Sequence, residues 1–401
     1  MEEWKTYKIR DISVVNLSQY SLKEDWKEVS YLDTGSITEN RIEGIQKFNL
    51  PCDDFPSRAR RKVQNGDILF STVRPNQKHY GILKNPASNL LVSTGFAVIT
   101  VNTSIADPYY VYYYLTQGDL INYLQGVAEQ SVSAYPSLRA ADIEDLEIDL
   151  PSLAEQKRIA NVLCSIDDKI SINSRINHNL EEQAQALYKS WFVDFEPFKG
   201  GEFVRSELGM IPKDWKVLRF NEFATLSNER VNSESIPEFS VTNNGIFPRD
   251  AKFNKQLSSS SLKNKIVRKG DLVFGMSRDI LNWGVMDDLV GGVSSAYTIY
   301  RVNSSMMDGL YLKNFMNQHL SYFKDLIRPA AREGQSIDKG VLATKIVYRP
   351  SDTIWSSFLS IYLRIIDQEK LLRDETQKLI AFRDTILPEL MEGRISISET
   401  C

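Results

Sequence analysis

Apolar residues follow two rhythms along this chain, and the whole pattern occurs twice. Short apolar runs bounded by turn residues come first: 67–73 (DILFSTV) and 96–101 (FAVITV), then 271–276 (DLVFGM) and 296–302 (AYTIYRV). Their length and their β-branched and aromatic content predict strands. Helical stretches follow around 109–123 and 310–326, and one more short strand leads to Pro151 or Pro350. Each half then closes in a long helical pattern. Between Glu155 and Phe192 there is neither proline nor glycine. Ile159, Ile166, Asn173, Leu180 and Leu187 fall seven residues apart, backed by Leu163, Ile170, Ala184 and Trp191. Phe358, Ile365, Leu372, Leu379 and Ile386 repeat that heptad, with Ile361, Tyr362 and Phe382 in support. A heptad held this long predicts a coiled coil. Each helix would be roughly 55 Å long at about 1.5 Å per residue. The alternative, two amphipathic surface helices on one compact domain, does not need so many heptads. Asn173 on the seam, with Asn177 beside it, is read as fixing register. Pro388 and Gly393 are expected to end the second helix.

The repetition extends to particular residues. Asn65-Gly66-Asp67-Ile68-Leu69-Phe70 returns as Lys269-Gly270-Asp271-Leu272-Val273-Phe274, a shift of 204. An arginine follows each, Arg74 and Arg278, and then an aromatic–glycine pair, Tyr80-Gly81 and Trp283-Gly284. Residues 92–96 (VSTGF) answer 293–297 (VSSAY), and Gln130-Ser131-Val132 answers Gln335-Ser336-Ile337. Residues 146–151 (LEIDLP) answer 345–350 (KIVYRP), and Trp4-Lys5 and Trp215-Lys216 open the two copies. These landmarks keep one order, so the chain is a tandem duplication. Gly66 and Gly270, with Asp67 and Asp271, are read as the turn that enters a strand rather than as catalytic groups.

Composition narrows the chemistry. The 401 residues suit two or three domains, at about 150 residues each. With 48 Lys and Arg against 52 Asp and Glu, the chain is not basic along its length. Cys52, Cys164 and Cys401 lie far apart and form no CxxC pair, which fits a reducing cytoplasm. The opening MEEWKTYKIR lacks the apolar stretch of a signal peptide, and no apolar run approaches the length of a membrane span. A cytoplasmic location with no membrane partner is expected. His79, His178 and His319 are scattered, and neither a zinc motif, a GxxxxGK[ST] phosphate loop nor a GxGxxG turn occurs. Asn85-Pro86-Ala87-Ser88 lacks the second proline and the aromatic of the tetrapeptide that amino-methyltransferases use. No catalytic residue and no metal ligand set is expected.

Charge is local. Arg58, Arg60, Arg61, Lys62, Arg74, Lys78 and Lys84 face only Asp67 over 56–84. Arg249, Lys252, Lys255, Lys263, Lys265, Arg268 and Lys269 face only Asp250 over 249–269. Each cluster adjoins the repeated Gly-Asp strand. A lone charge run is usually a solvated face, but two at matching positions point to phosphate. Asn76, Gln77 and Lys78 after Arg74, and Asn282 after Arg278, are of the types that read base edges: Arg pairs with guanine, Asn or Gln with adenine. Arg74, Asn76, Gln77, Arg278 and Asn282 are the expected base readers.

Residues 150–160 (LPSLAEQKRIA) entering a long helix resemble the start of the first conserved region of type I restriction-modification specificity subunits. Residues 165–198, with Ile166-Asp167-Asp168-Lys169-Ile170 and 190–195 (SWFVDF), continue the likeness, as do 206–212 (SELGMIP). Asn65-Gly66-Asp67-Ile68-Leu69 and Gln130-Ser131 are similar to pieces of that family's target recognition domains. The resemblance implies an α/β (α+β) fold in which two target recognition domains are joined by two long antiparallel coiled-coil helices. It divides the chain into recognition domain 1 (1–150), spacer helix 1 (151–195), a linker (196–215), recognition domain 2 (206–350) and spacer helix 2 (351–395). It implies a non-catalytic subunit that reads a split double-stranded DNA site with a fixed gap. Two modification subunits, which methylate adenine and hold S-adenosylmethionine, would dock on it, and restriction subunits would use ATP and Mg. One departure stands out: 350–355 (PSDTIW) has neither Glu nor Gln where the first copy has Glu155 and Gln156. Two other readings compete, a coiled-coil protein scaffold with basic surfaces but no DNA specificity, and a nuclease fragment.

Overall fold

The computed structural model describes residues 4–397 except 22, 51–52, 55, 132–134, 234, 250–260, 277–279 and 328–336. Lys252, Lys255 and Arg278 therefore lie outside the described residues, as do Cys52, Cys401, Val132, Gln335 and Ser336. The chain forms two compact units, 1–177 with 371–401, and 178–370. Each unit holds one sequence copy and part of each long helix.

In the first unit a four-stranded sheet runs Ser13–Val15, Phe96–Val101, Ile68–Ser71, Tyr80–Ile82, all antiparallel. In the second unit the order is Ala224–Ser227, Thr298–Val302, Leu272–Phe274, Trp283–Val285, again antiparallel. The runs that alternate poorly in sequence are strands buried on both faces, Ile68, Leu69 and Phe70 being 0 to 1% exposed. A second sheet in the first unit runs Gln46–Asn49, Glu28–Leu32, Leu90–Ser93, Ala59–Lys62, and its counterpart pairs Lys265–Arg268 with Val290–Val293.

The duplication extends to individual backbone bonds. Gly66 and Gly270 take φ +84° and +85°, where an L side chain is strained. Asp67 Oδ2 accepts from the Gln64 N–H at 2.8 Å, and Asp271 Oδ2 from the Arg268 N–H at 2.9 Å. These carboxylates shape the strand entry, as the sequence predicts. Asp107 and Asp308 cap the helices Pro108–Leu115 and Gly309–Gln318, each accepting from the N–H groups two and three residues on. The Tyr110 and Tyr311 hydroxyls donate to the Asp149 and Tyr348 carbonyls.

The helix expected around 109–123 is two helices, Pro108–Leu115 and Gly118–Glu129. Thr116 separates them, its hydroxyl donating back to the Tyr112 carbonyl at 3.0 Å and closing the first helix. In the second copy the stretch around 310–326 changes from α-helix to a 3₁₀ turn at His319, whose Nδ1 bonds the Phe315 carbonyl at 2.9 Å. The Gly- and Pro-rich stretch 196–215 contains a hairpin, Phe203–Ser206 with Gly209–Pro212, and buries Ile211 and Trp215 in its unit's core.

The long helices are Leu153–Phe192 and Asp352–Met391. In the first unit Ile159, Ala160 and Leu163 share a core with Leu387, Leu390 and Met391. In the second, Ala184, Tyr188 and Phe192 share one with Trp355, Phe358 and Tyr362. The start of one helix meets the end of the other in both units, so the pair is antiparallel. Of the predicted seam, Ile159, Ile166, Asn173 and Phe358 are buried, and Leu180, Leu187, Ile365, Leu372, Leu379 and Ile386 are half-buried. Ile361 and Phe382, expected to support the seam, are instead 45% and 54% exposed. The drift of a 3.6-residue helix against a seven-residue repeat carries such flanking positions off the contact face. Asn173 is fully buried and donates through Nδ2 to Glu375 at 2.8 Å, while its Oδ1 has no partner. Pro388 lies inside the second helix instead of ending it. The turn beyond the proline is held by burial of Leu390 and Met391, and Gly393 at φ +67° closes it.

Candidate nucleic-acid interface

A few of the predicted cations meet a tight turn in their copy: Arg58 and Arg61 in the first, Lys265 in the second. In the first copy that turn is 93–96. Its Thr94 N–H donates to the Arg58 carbonyl at 2.9 Å, and the Arg61 guanidinium donates to the Thr94 carbonyl at 3.3 Å. Thr72 donates through N–H and hydroxyl to Gly95 O. Thr34 packs on Gly95, leading into a two-residue hairpin, Ile37–Thr38 with Arg41–Ile42. The tip residues Glu39 and Asn40 have φ +46° and +64°, as a tight hairpin turn demands.

That hairpin is seated on the aromatic–glycine strand. The Glu39 and Asn40 N–H groups donate to the Lys78 and Tyr80 carbonyls, and Asn40 Oδ1 accepts from the Ile82 N–H. A Cβ on Gly81 would stand 2.5 Å from Ile37 Cδ1 and 2.7 Å from Asn40 Oδ1. In the second copy the hairpin Phe239–Thr242 with Gly245–Pro248 takes this place, and a Cβ on Gly284 would stand 2.6 Å from Ile246 Cγ1. The repeated glycine is thus a docking surface for backbone. Sequence reasoning found the glycine and missed the hairpin, although Asn244-Gly245 is a strong hairpin signal.

Not every predicted cation is free. Arg61 and Lys265 occupy equivalent places, opposite Val92 and Val293. Both brace the turn beside them, Lys265 Nζ donating to Tyr297 O at 2.7 Å. Burial pushes the pKa of both down, and for Lys265 the nearby Lys339 and Arg230 add to it. Lys62 pairs with Glu24, and Arg60 is half-buried. Arg249 donates to Ser240 Oγ at 2.7 Å, and Lys263 is exposed. Asn282 Nδ2 donates to the Met276 carbonyl, so its amide holds its own loop. Arg58, Arg74, Asn76, Gln77 and Lys78 are exposed, Lys78 in an ion pair with Glu39 at 2.6 Å. Arg74 has φ +48°, and its guanidinium lies over the exposed ring of Tyr135, a residue the sequence did not single out.

The site where the copies depart from each other is also explained. Gln156 is 1% exposed and bridges three backbone groups. It donates to Pro151 O at 2.9 Å and Ile105 O at 3.4 Å, and accepts from the Asp107 N–H at 2.8 Å. In the second copy Arg349 donates to the corresponding Pro350 and Met306 carbonyls. Trp355 stands at the glutamine's position, and a cavity of about 240 Å³ between Asp308, Arg349 and Trp355 remains.

Residues 1–182 match the family described as Type I restriction modification DNA specificity domain. Over nearly its whole length the chain aligns with the type I restriction enzyme MjaIX specificity subunit of Methanocaldococcus jannaschii, 25% identical across 99% of this chain and 95% of that one. The first copy thus carries the match to a DNA specificity domain, and the chain as a whole is similar to type I restriction enzyme specificity subunits. The HindI specificity subunit of Haemophilus influenzae is 33% identical over 199 residues, which is 50% of this chain and 43% of that relative. The fold is shared with the specificity subunit from M. genitalium (TM-score 0.57, 13% identity, 97% and 96% covered). It is shared too with a chain solved for the complex assembly and conformational transition of the type I system (TM-score 0.53, 18% identity, 98% of each covered). None of these likenesses supports the scaffold reading. No helix among the described residues is long and apolar enough to cross a membrane.

Proposed function

We propose that this chain is a type I specificity subunit that reads a split DNA sequence and does no chemistry itself. Each copy would read one half-site, and the paired helices would set the gap between them. The observation that carries this reading is one frame built twice, each seating a hairpin on its repeated glycine and the first with exposed cations beside it, on a chain similar to type I specificity subunits along its length. Arg58 and Lys78 are the cations best placed to hold phosphate in the first copy, and Arg74 is placed to read a base. Two modification subunits carrying S-adenosylmethionine would dock on it and methylate an adenine, and restriction subunits would bring ATP and Mg. Ile172, Ile176, Leu371 and Phe382 stand 39 to 65% exposed on the long helices, which favours such docking. The setting would be the cytoplasm.

Single-molecule sequencing of methyladenine in the host genome, with and without the gene, tests the proposal. A split motif with a fixed gap should vanish on deletion. An unchanged methylome in a strain where the modification subunit is expressed would sink it.

A further inference from the structure

The paired hairpins differ where their seats agree. Both dock on the repeated glycine, which fixes where each tip stands on its copy. Their tips carry different side chains: Thr38-Glu39-Asn40-Arg41 in the first copy, Thr242-Asn243-Asn244-Gly245 in the second. Asn40 is spent on the Ile82 N–H and Glu39 on Lys78, which leaves Arg41 as the outward group of the first tip. Arg41 is exposed and has no carboxylate partner among the described residues. Asn243 and Asn244 are exposed on the second tip.

Such a part, seated on the repeated glycine and carrying different side chains at its tip, has the form of a reading head. A two-stranded ribbon fits the major groove, where arginine reads guanine and asparagine reads adenine by bidentate hydrogen bonds. We propose that the two hairpin tips are base-reading elements, with Arg41 reading a guanine in one half-site and Asn243 and Asn244 reading adenine in the other. This rests on the DNA-recognition reading above and adds residues that neither basic cluster contains.

The test uses the full chain assembled with its modification subunit, on DNA libraries randomised at each position of the methylated motif. Arg41→Ala should lower the preference at one position of one half-site about 5- to 150-fold, the discrimination of one bidentate contact at about 1–3 kcal/mol. The other half-site and the gap should not change. Asn243→Ala with Asn244→Ala should do the same at the opposite half-site. A uniform loss of methylation with the motif intact would overturn the proposal, since that is the mark of a phosphate contact. So would an unaltered motif at full methylation. If Arg41→Ala fails to assemble, Arg41→Lys keeps the charge, loses the fork and faces the same outcomes. Failure of the wild-type complex to methylate any split motif would instead defeat the recognition reading itself.

Discussion

The guanidinium of Arg74 lies 5.3 Å from the ring centroid of Tyr135, and the Arg74 N–H donates to the Pro136 carbonyl at 3.1 Å. A left-handed arginine and an exposed aromatic are thereby held together on separate loops. The stacked ring limits the directions the guanidinium can take before DNA arrives.

Arg74→Ala should reduce discrimination at one base by about 1–3 kcal/mol. Tyr135→Ala should act in the same direction and less, about 0.5–1 kcal/mol or two- to fivefold, because it removes only the stacking. Competition binding of the assembled complex to cognate and single-base-variant duplexes measures both. Equal weakening on every sequence would show that Arg74 grips phosphate instead.

Gln156 gives a stability test that separates the two copies. Its amide meets the Asp107 N–H and two carbonyls inside a buried helix start. Gln156→Ala leaves these groups unpaired and should cost about 1–3 kcal/mol per buried group exposed to that loss. Gln156→Glu should also destabilise, since a carboxylate cannot donate to the Pro151 and Ile105 carbonyls. Urea midpoints of the purified chain report the change, and a midpoint equal to that of the parent for both variants would refute the bridging role.

Much of this arrangement was legible in the sequence for a physical reason. Gly66 and Gly270 occupy a backbone region that few other residues tolerate, and Asp67 and Asp271 complete their turns, so both pairs survive duplication as visible landmarks. The heptads were legible because burial on a helix repeats. The first hairpin was not, because only four residues pair in it and its seat, Gly81, is distant in sequence, whereas the second carries the Asn244-Gly245 signal. Nor could sequence separate Arg61 and Lys265, which brace turns, from Arg58 and Arg74, which face solvent. All four are simply basic in a string of letters. The exchange of Gln156 for Arg349 was hidden because the replacement comes from another position, on the strand Ile346–Arg349.

Asp67 carries a pH signature. Burial pushes its carboxyl pKa above the ordinary 3.8, against the pull of the Thr100 hydroxyl and the Gln64 N–H. A raised folded-state value means that the protonated form favours folding. The contribution is present in full below the unfolded value and is lost as the pH rises through the folded one. Asp67→Asn is neutral throughout and keeps an acceptor for the Gln64 N–H. Its stability relative to the parent should therefore rise as the pH climbs from about 4 towards neutral. Chemical unfolding of both proteins across that range checks this, and a difference that does not vary with pH would contradict it.

The long helices offer the most direct test of the proposed spacer. Leu153–Phe192 and Asp352–Met391 each run through residues of both compact units, and each has 40 residues. One added turn in a helix advances it by about 5.4 Å, nearly two base-pair steps of B-DNA. The insertion must be made in both helices, near Asn177 and Leu371, so that the Asn173–Glu375 bond and the Arg383–Asp167 ion pair at 2.8 Å keep their register. An insertion in one helix alone would slide one seam past the other and should abolish assembly. The double insertion should leave both half-sites unchanged and lengthen the gap of the methylated motif. A motif that keeps its original gap, read by methyladenine sequencing of the double-insertion strain, would show that the helices do not set the spacing.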